Sequence, residues 1–370
     1  MGSTMFYVSL LLLLLLAGSD CRVFQFPFQT NEPYNIAHRG SSGEFPEESV
    51  LAYKRAIEEG ADFIEADITA TKDGKLICFH DLILDSVTDV HDHPEFASRK
   101  QTYVVDGVNV TGYFAVDFTL EELKSLRLIQ RYPNRDQSYN GKLQIPTFEE
   151  FIAIALASPK SERVGIYVEI KSPTFINHHV KWSEGRKFED VFLNILKKYD
   201  YNAKYLTKEW LDKPVFIQSF DPSSLIYLHN KTSSPKILLI APDSITSDTK
   251  QTYEEIISDD YLDYISKIVV GIGPAKEAIA PVDSNNKLLP MTDLVDKAHA
   301  RGLEVHPWTF NHERNLLLPF DYHQDPYREY DMFVNTLEVD GVFTDSPESF
   351  ETYRRQWRIF SKRKRPYKNE

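Results

Sequence analysis

Short apolar runs recur along this chain, and their alternation with helical patterns limits the fold more than any other feature. Runs that are continuously apolar are typical of strands buried on both faces of a parallel sheet. The segments between them have helical spacing and stop at glycines such as Gly60 and Gly302. Eight runs follow this pattern and predict an α/β fold, a closed TIM-type (β/α)8 barrel: YNIA, FIEADI, VGIYVEI, VFIQSF, KILLIA, KIVVGIG, LEVHPWTF and DGVFTD.

A ninth apolar run, LICFHD, follows the second run too closely for a helical crossover. Parallel strands need a connection of about a dozen residues or more, and only TATKDGK intervenes here. Asp73 and Gly74 form a common two-residue hairpin turn. We therefore expect an antiparallel hairpin in which Asp67 lies opposite His80.

The chain is expected to divide into three segments, the second of which carries an insertion. Residues 1–20 carry a short apolar run followed by small residues, which indicates a secretory signal peptide. The barrel is expected over residues 34–350. Within it, residues 82–144 lose the strand–helix alternation and predict an inserted lobe after the hairpin, and long insertions after barrel strands lie over the active-site mouth. Residues 351–370 are expected to form a basic tail exposed to solvent.

The expected signal peptide predicts export, either to the cell exterior or to a periplasm. No later stretch is long and apolar enough to predict a transmembrane segment. In an exported protein, Asn109 and Asn230 would be candidate glycosylation sites, because each begins an N-x-T triplet. The net charge of −13 argues against nucleic acid as a partner, since phosphate binding requires a basic surface. The sequence leaves the oligomeric state open.

Three carboxylates are expected at the ends of barrel strands. Glu65 and Asp67 stand two residues apart on one strand, so their side chains share a face, and Glu169 ends another strand run. No basic residue is adjacent to the first two in the sequence, and buried carboxylates without a positive partner are costly. Oxygen ligands of this kind favour Mg²⁺ or Ca²⁺. The alternative is a set of ordinary salt bridges at the barrel rim.

Two histidines and two basic residues are expected beside these carboxylates. His38 and Arg39 follow the first strand and His80 ends the hairpin strand, so both imidazoles belong to one end of the barrel. A pair of imidazoles can remove a proton from an attacking hydroxyl and donate one to the leaving oxygen. Arg39 and Lys171 offer donors that suit a phosphate group. Glu47 is a further candidate for binding the metal or a substrate hydroxyl.

The ordered motifs AHRG, PEES, GADFIEADITATKDGKLICFHD, VEIK, QSFD, HPWT and GVFTDSP resemble the glycerophosphodiester phosphodiesterase family. The resemblance runs from Tyr34 to Phe350 and is greatest to secreted or periplasmic-type members with a long insertion after the HD motif. It implies a TIM-type barrel with a divalent cation, calcium or magnesium. It also implies roles for individual residues: acid/base catalysis by His38 and His80, metal binding by Glu65, Asp67 and Glu169, phosphate binding by Arg39 and Lys171, and substrate-facing positions for Gln218 and Trp308.

The same resemblance implies the activity, which is hydrolysis of glycerophosphodiesters such as glycerophosphocholine or glycerophosphoethanolamine to sn-glycerol 3-phosphate and an alcohol. The partner would then be a small-molecule substrate. Two alternatives remain at this point: a lysophospholipase D or sphingomyelinase-D-like enzyme on the same barrel, and a non-catalytic binding protein. One position departs from the family pattern, because Glu48 stands where the family usually has an uncharged polar residue.

Overall fold

The structure is a computed structural model that describes residues 32–159, 164–242, 244–313 and 317–364. Its strands are β1 (Tyr34–Ala37), β2 (Phe63–Ala70), β3 (Leu76–Cys78), β4 (Gln101–Val105), β5 (Val108–Gly112), β6 (Gly165–Ile170), β7 (Val215–Ser219), β8 (Lys236–Ile240), β9 (Gly271–Pro274), β10 (Glu304–Val305) and β11 (Gly341–Thr344). Its α-helices are α1 (Val50–Glu58), α2 (Leu120–Ser125), α3 (Phe148–Leu156), α4 (Pro173–His179), α5 (Phe188–Lys198), α6 (Lys208–Asp212), α7 (Pro222–His229), α8 (Tyr253–Ile256), α9 (Asp259–Ile265), α10 (Lys276–Ile279), α11 (Leu294–His299), α12 (Pro326–Asp331) and α13 (Pro347–Lys364).

Eight parallel strands form a nearly closed barrel, which confirms the fold predicted from the alternating runs. Neighbouring strands follow the order β10–β9–β8–β7–β6–β2–β1–β11, and each adjacent pair is parallel. Backbone hydrogen bonds connect β11 with the end of β10, from the Asp340 N–H to Val305 and from the Phe343 N–H to Pro307. The eight barrel strands arise from the eight predicted runs.

Aromatic side chains fill the barrel interior below the functional end. The rings of Tyr34, Phe63, Tyr167 and Phe216 contact one another at centroid separations of 5.0–6.0 Å. Every residue of β2 and of β6 is buried, because helices cover the outer face of the sheet and these rings cover part of the inner face. A packed interior leaves the carboxyl ends of the strands as the place where polar side chains can meet a ligand.

The hairpin after β2 is confirmed, but the predicted register is wrong by one residue. β3 pairs antiparallel with β2, and Phe79 rather than His80 lies opposite Asp67, whose carbonyl accepts the Phe79 N–H at 2.8 Å. A three-residue loop that ends at Gly74, with φ 69°, replaces the expected two-residue turn. The cause is Thr71, because its N–H and its hydroxyl both bond to the backbone of the residue four positions later.

Residues 82–144 contain an exposed hairpin, short helices and α2. β4 and β5 pair antiparallel around a turn at Asp106, whose carboxylate accepts a hydrogen bond from the Ser247 hydroxyl in the loop after β8. A capping box begins α2, since Thr119 and Glu122 each bond to the backbone of the other. Three 3-10 helices complete the segment: Val90–Asp92, Pro94–Arg99 and Ala115–Asp117. The hairpin tip therefore lies against one side of the barrel mouth.

The last helix extends past the boundary that the sequence suggested for the barrel. α13 continues to Lys364, whereas a basic tail was expected from residue 351. Arg354 is buried and forms ion pairs with Asp62 and Glu351, which ties this part of the chain to the start of β2. The first part of the expected tail is thus helical and packs on the barrel. Its Arg354 side chain forms an ion pair with Asp62, which lies outside the helix.

Several predictions concern features that lie beyond the barrel. The expected signal peptide, residues 1–20, lies outside the described residues. Within the described part of the chain, no helix has both the length and the apolar character needed to cross a membrane. Asn109 and Asn230 are both exposed, and their glycosylation stays a prediction.

Gly165→Ala should destabilise the barrel, because a methyl group at the first position of β6 would overlap the Phe63 ring on β2. Overpacking of this kind costs about 1–3 kcal/mol of unfolding free energy. Chemical denaturation of the wild-type and variant proteins measures the difference. The double variant Gly165→Ala/Phe63→Leu is the control, since a smaller side chain at position 63 makes room for the methyl group. Full additivity of the two single effects would argue against the overlap.

Candidate active site

The predicted metal ligands meet at the carboxyl ends of adjacent barrel strands. Glu65 and Asp67 share a face of β2, and the parallel register of β2 with β6 places Asp67 beside Glu169. β1 ends at Ala37, so His38 and Arg39 come directly after it at the same end of the barrel. The predicted convergence of the three carboxylates is confirmed.

Glu65, Asp67 and Glu169 form a buried cluster in which one oxygen of each carboxyl group lies within 4.8 Å of the others. Burial raises the pKa of Glu65 well above its usual value and that of Glu169 to about 8, and the charge of Asp67 adds to both shifts. Burial alone would also raise the pKa of Asp67, but Lys171 and its neighbours outweigh burial and hold that pKa well below its usual range. Asp67 is therefore the carboxylate that stays ionised.

Two cations contact the cluster, so the premise that its carboxylates lack a basic partner is wrong. The Lys171 ammonium lies 3.0 Å from Glu169 and 3.5 Å from Asp67. The Arg39 Nε lies 3.1 Å from Asp67, and the Arg39 backbone N–H donates to Glu65 at 2.7 Å. These contacts join residues distant in sequence, since Arg39 follows β1 and Lys171 follows β6. Two positive charges nevertheless face three carboxyl groups.

The cluster fits a hard divalent cation. Its donor atoms are carboxylate oxygens, which Mg²⁺ and Ca²⁺ prefer. Asp67 Oδ2 is buried without a hydrogen-bond partner, because the nearby Arg39 Nε does not have hydrogen-bond geometry. Gln218 places a second buried, unpartnered oxygen here, while its amide N–H donates to Glu65 at 3.0 Å. Glu65, Asp67 and Glu169 are thus residues that could hold the ion.

Each of the two predicted catalytic histidines has an aspartate bonded to its Nδ1 atom. His38 Nδ1 lies 2.7 Å from Asp345, and His80 Nδ1 lies 2.5 Å from Asp81. An ionised carboxylate can only accept, so each Nδ1 carries a proton and each Nε2 is the ring atom left to exchange a proton with a ligand. Burial lowers the pKa of His80 to about 4, and the positive charge of Lys171 adds to the fall. His80 is therefore neutral at neutral pH.

Asp81 and Asp345 are functional-site residues that the sequence analysis missed. Burial would raise the pKa of each, but the hydrogen bond to its histidine, the charge of that histidine and a neighbouring arginine together outweigh burial and hold the pKa well below its usual range. The signal for both was present in the quoted motifs, because Asp81 directly follows His80 and Asp345 follows β11, the neighbour of β1.

The other two predicted substrate residues, Glu47 and Trp308, lie on opposite sides of the barrel mouth. Glu47 is buried and accepts hydrogen bonds from Arg39 at 3.0 Å and from Arg131 at 2.8 and 2.7 Å. Burial alone would raise the pKa of Glu47, but the two arginines lower it to about 2. Trp308 follows β10, donates its indole N–H to a β9 carbonyl at 2.8 Å and contacts the Phe220 ring edge to face.

Glu48, the residue that departs from the family pattern, is buried beside the cluster. One of its oxygens accepts the Asp67 N–H at 2.9 Å, and the other accepts a hydrogen bond from the Tyr53 hydroxyl. Burial and the charge of Asp67 raise the pKa of Glu48 well above its usual value. The Glu48 carboxyl group therefore fixes the backbone of β2 at Asp67, one of the predicted metal ligands.

A cavity of about 250 Å³ opens beside Glu169 and Lys171, along the ends of β6, β7 and β8. The Phe220 ring and apolar side chains from β8 form part of its wall, and Asp106 and Asp221 add carboxylates. Burial raises the pKa of Asp221 to about 6, and neighbouring aspartates add to the shift, so this carboxyl group is mostly ionised at neutral pH. The cavity combines an apolar wall with negative charge.

The fold and the site define a TIM-barrel enzyme in which two imidazoles lie near a carboxylate cluster able to hold a metal. The model of the Glycerophosphoryl diester phosphodiesterase family matches residues 38–349. Over 328 residues the chain is 58% identical to Glycerophosphodiester phosphodiesterase GDPD6 of Arabidopsis thaliana, covering 88% of this chain and 87% of that protein. The chain belongs to the glycerophosphoryl diester phosphodiesterase family.

More distant relatives agree with this assignment. A glycerophosphodiester phosphodiesterase of Haemophilus influenzae is 30% identical over 347 residues, which cover 85% of this chain and 87% of that protein. An Oleispira antarctica phosphodiesterase, solved in complex with the product sn-glycerol-3-phosphate, has a TM-score of 0.57 at 19% identity and covers 88% of this chain and 97% of its own. At that identity the solved structure supports the fold alone.

Binding of Mg²⁺ or Ca²⁺ should tighten as the pH rises towards about 8. Below that value the ion must displace the proton of Glu169, whose pKa is about 8, so this one proton lowers affinity by up to about tenfold per pH unit, and the proton of Glu65 adds to the fall. In the metal-free protein, Glu169 stabilises the fold fully below its ordinary pKa, and this contribution is lost as the pH rises through about 8. Titration calorimetry above and below pH 8 measures the affinity.

Glu169→Gln should weaken binding and flatten its dependence on pH, because the variant has no proton to displace at that position. Glu121→Gln removes an exposed carboxyl group on α2 and should leave the profile unchanged. A wild-type affinity that does not change with pH, or a Glu169→Gln protein that binds like the wild type, would contradict the ligand assignment.

Proposed function

We propose that this protein is a metal-dependent phosphodiesterase that hydrolyses glycerophosphodiesters to sn-glycerol 3-phosphate and an alcohol. The observation that carries the proposal is the meeting of the Glu65–Asp67–Glu169 cluster with Arg39 and Lys171 at one end of the barrel. The Arabidopsis thaliana relative is named for the same reaction class, and the Oleispira antarctica neighbour was solved with sn-glycerol-3-phosphate as its product.

The two histidines supply the proton transfers of the proposed reaction. His80 is neutral at neutral pH and accepts the proton of the glycerol 2-hydroxyl, whose oxygen then attacks phosphorus. The bond from phosphorus to the alcohol breaks, and His38 donates a proton to the departing oxygen. The product is a cyclic phosphate. Water then attacks phosphorus and gives its proton to His38, while the bond from phosphorus to the 2-oxygen breaks and His80 returns its proton to that oxygen, which yields sn-glycerol 3-phosphate. Asp81 and Asp345 hold the Nδ1 protons, so each Nε2 is the atom that exchanges a proton with substrate.

Charge around the phosphate is balanced by side chains of β1 and β6. Arg39 and Lys171 donate to phosphate oxygens once a substrate competes with the carboxylates that they now contact. A divalent cation bound by Glu65, Asp67 and Glu169 supplies further positive charge, which lowers the pKa of a nearby hydroxyl and offsets the charge of the transition state.

The cavity beside Lys171 supports a small cationic alcohol such as choline or ethanolamine as the leaving group. Its lining includes the aromatic ring of Phe220, a residue type that attracts quaternary ammonium groups, and its apolar wall suits methyl groups. The carboxylates of Asp221 and Asp106 supply the opposite charge. Glycerophosphocholine and glycerophosphoethanolamine therefore match the site better than a diester with a neutral polyol.

His38→Ala and His80→Ala should each lower turnover of glycerophosphocholine about 10²–10⁴-fold, the usual contribution of general acid/base catalysis. Product analysis with glycerophosphocholine, glycerophosphoinositol and lysophosphatidylcholine, each with and without a chelator, measures both the reaction and its metal dependence. His229→Ala, an exposed position on α7, is the matched control. Full activity in excess chelator would exclude the metal, and preferred cleavage of lysophosphatidylcholine would make the enzyme a lysophospholipase D.

A substrate that lacks the glycerol 2-hydroxyl should bind but turn over poorly. An internal hydroxyl has a high effective molarity, and water can replace it only with a considerably higher barrier. The deoxy compound retains the anionic phosphate, so it should inhibit cleavage of the natural substrate competitively. Rapid-quench samples of the natural reaction should contain cyclic glycerol phosphate. Equal turnover of the two compounds would refute internal attack.

A further inference from the structure

An arginine of the inserted lobe holds the aspartate that supports His38. Arg135 donates to Asp345 Oδ2 at 2.6 Å, and His38 contacts the other oxygen of the same carboxylate. The Arg135 side chain is 3% exposed, and it also donates to the Ser42 carbonyl at 2.9 Å and pairs with Glu313. Both oxygens of Asp345 are therefore bound, one by an imidazole and one by a guanidinium.

The aspartate that supports His80 is paired with a second arginine, four positions before Arg135, and its Oδ2 also accepts a hydrogen bond from the Ser86 hydroxyl at 3.1 Å. Arg131 lies 3.0 Å from Asp81 Oδ2, while His80 contacts Asp81 Oδ1. The Arg131 guanidinium also forms two hydrogen bonds with Glu47, which fixes its plane. The site thus contains two guanidinium–carboxylate–imidazole chains that both begin in residues 131–135.

This lobe segment is fastened to the loop that follows β1. The Gln130 side-chain amide donates to the Phe45 carbonyl at 3.1 Å, and Arg135 donates to Ser42 in the same loop. The Arg135 guanidinium stacks over the Tyr132 ring at 4.1 Å from its centroid. The two arginines are therefore held in place before any substrate arrives.

We propose that Arg131 and Arg135 are positioning residues for both acid/base pairs, which makes the inserted lobe part of the catalytic apparatus. The assignment rests on the two-histidine mechanism proposed above. A carboxylate bonded through both oxygens cannot rotate, so the imidazole that it holds keeps Nε2 directed at the substrate. The guanidinium also keeps each aspartate ionised, which leaves the Nδ1 proton on the imidazole. A lobe that only covered the mouth would not need an arginine on each aspartate.

Arg131→Ala and Arg135→Ala should each lower kcat about 10–100-fold, the usual effect of removing a group that orients a reacting side chain. The affinity for Mg²⁺ should change little, because neither arginine contacts Glu65, Asp67 or Glu169. KM should change little in Arg135→Ala, because Arg131 and not Arg135 holds the predicted substrate residue Glu47. Free guanidinium, added below the concentration that unfolds the protein, should restore part of kcat by filling the vacated position. Arg127→Ala is the matched control, since Arg127 lies in the same lobe and bonds to backbone carbonyls of residues 124–126.

Arg135→Lys keeps the charge without the planar fork and should give a kcat between those of wild type and Arg135→Ala, which provides a test should the alanine variant not fold.

Unchanged kcat in the arginine variants, with His38→Ala and His80→Ala inactive, overturns this assignment and leaves the proposed function intact. A fall in melting temperature that fully accounts for lost activity, without guanidinium rescue, shows an anchoring role and overturns it too. A raised KM at unchanged kcat also overturns it, because the arginines would then bind substrate. Full activity of the histidine variants removes the mechanism itself.

Discussion

The packing of three carboxyl groups against two cations at the ends of β2 and β6 is the constraint on which the rest of the site depends. The register of the two strands brings Asp67 beside Glu169 independently of the conformation of the loops. Because this group is buried, its charges must be balanced, and the shifted pKa values of Glu65 and Glu169 show that Arg39 and Lys171 do so only in part. Under the proposed function, a divalent cation held by the three carboxylates would complete the balance, and the same positive charge would serve the chemistry of a phosphodiester.

Much of this arrangement follows from sequence, because strand periodicity and strand ends are local properties. The eight apolar runs became the eight barrel strands, and two-residue spacing placed Glu65 and Asp67 on one face. The hairpin register could not be predicted from the sequence, since one side chain, Thr71, lengthens the turn by a residue. His80 still reaches the mouth, since it lies beyond the end of β3 and does not depend on that ladder.

Contacts between distant loops were beyond the reach of sequence patterns. Arg131 and Arg135 stand in a segment without periodicity, and only the folded lobe brings them to the aspartates that contact the histidines. The same holds for the two cations on the carboxylate cluster, which lie far from Glu65 and Asp67 in the chain. The sequence showed that Glu48 departs from the family pattern. Its hydrogen bonds to Tyr53 and to the Asp67 backbone could not be predicted, because they depend on how α1 packs against β2.

The location of a bound metal tests the central claim most directly. Crystals grown with Mn²⁺, a stand-in for Mg²⁺ at oxygen sites, give an anomalous signal that identifies the ion independently of activity. The account predicts one strong peak among Glu65, Asp67 and Glu169, about 2.0–2.6 Å from an oxygen of each, with Lys171 and Arg39 released towards the phosphate position. A strong peak elsewhere, with the three carboxylates still bonded to Lys171 and Arg39, would contradict it.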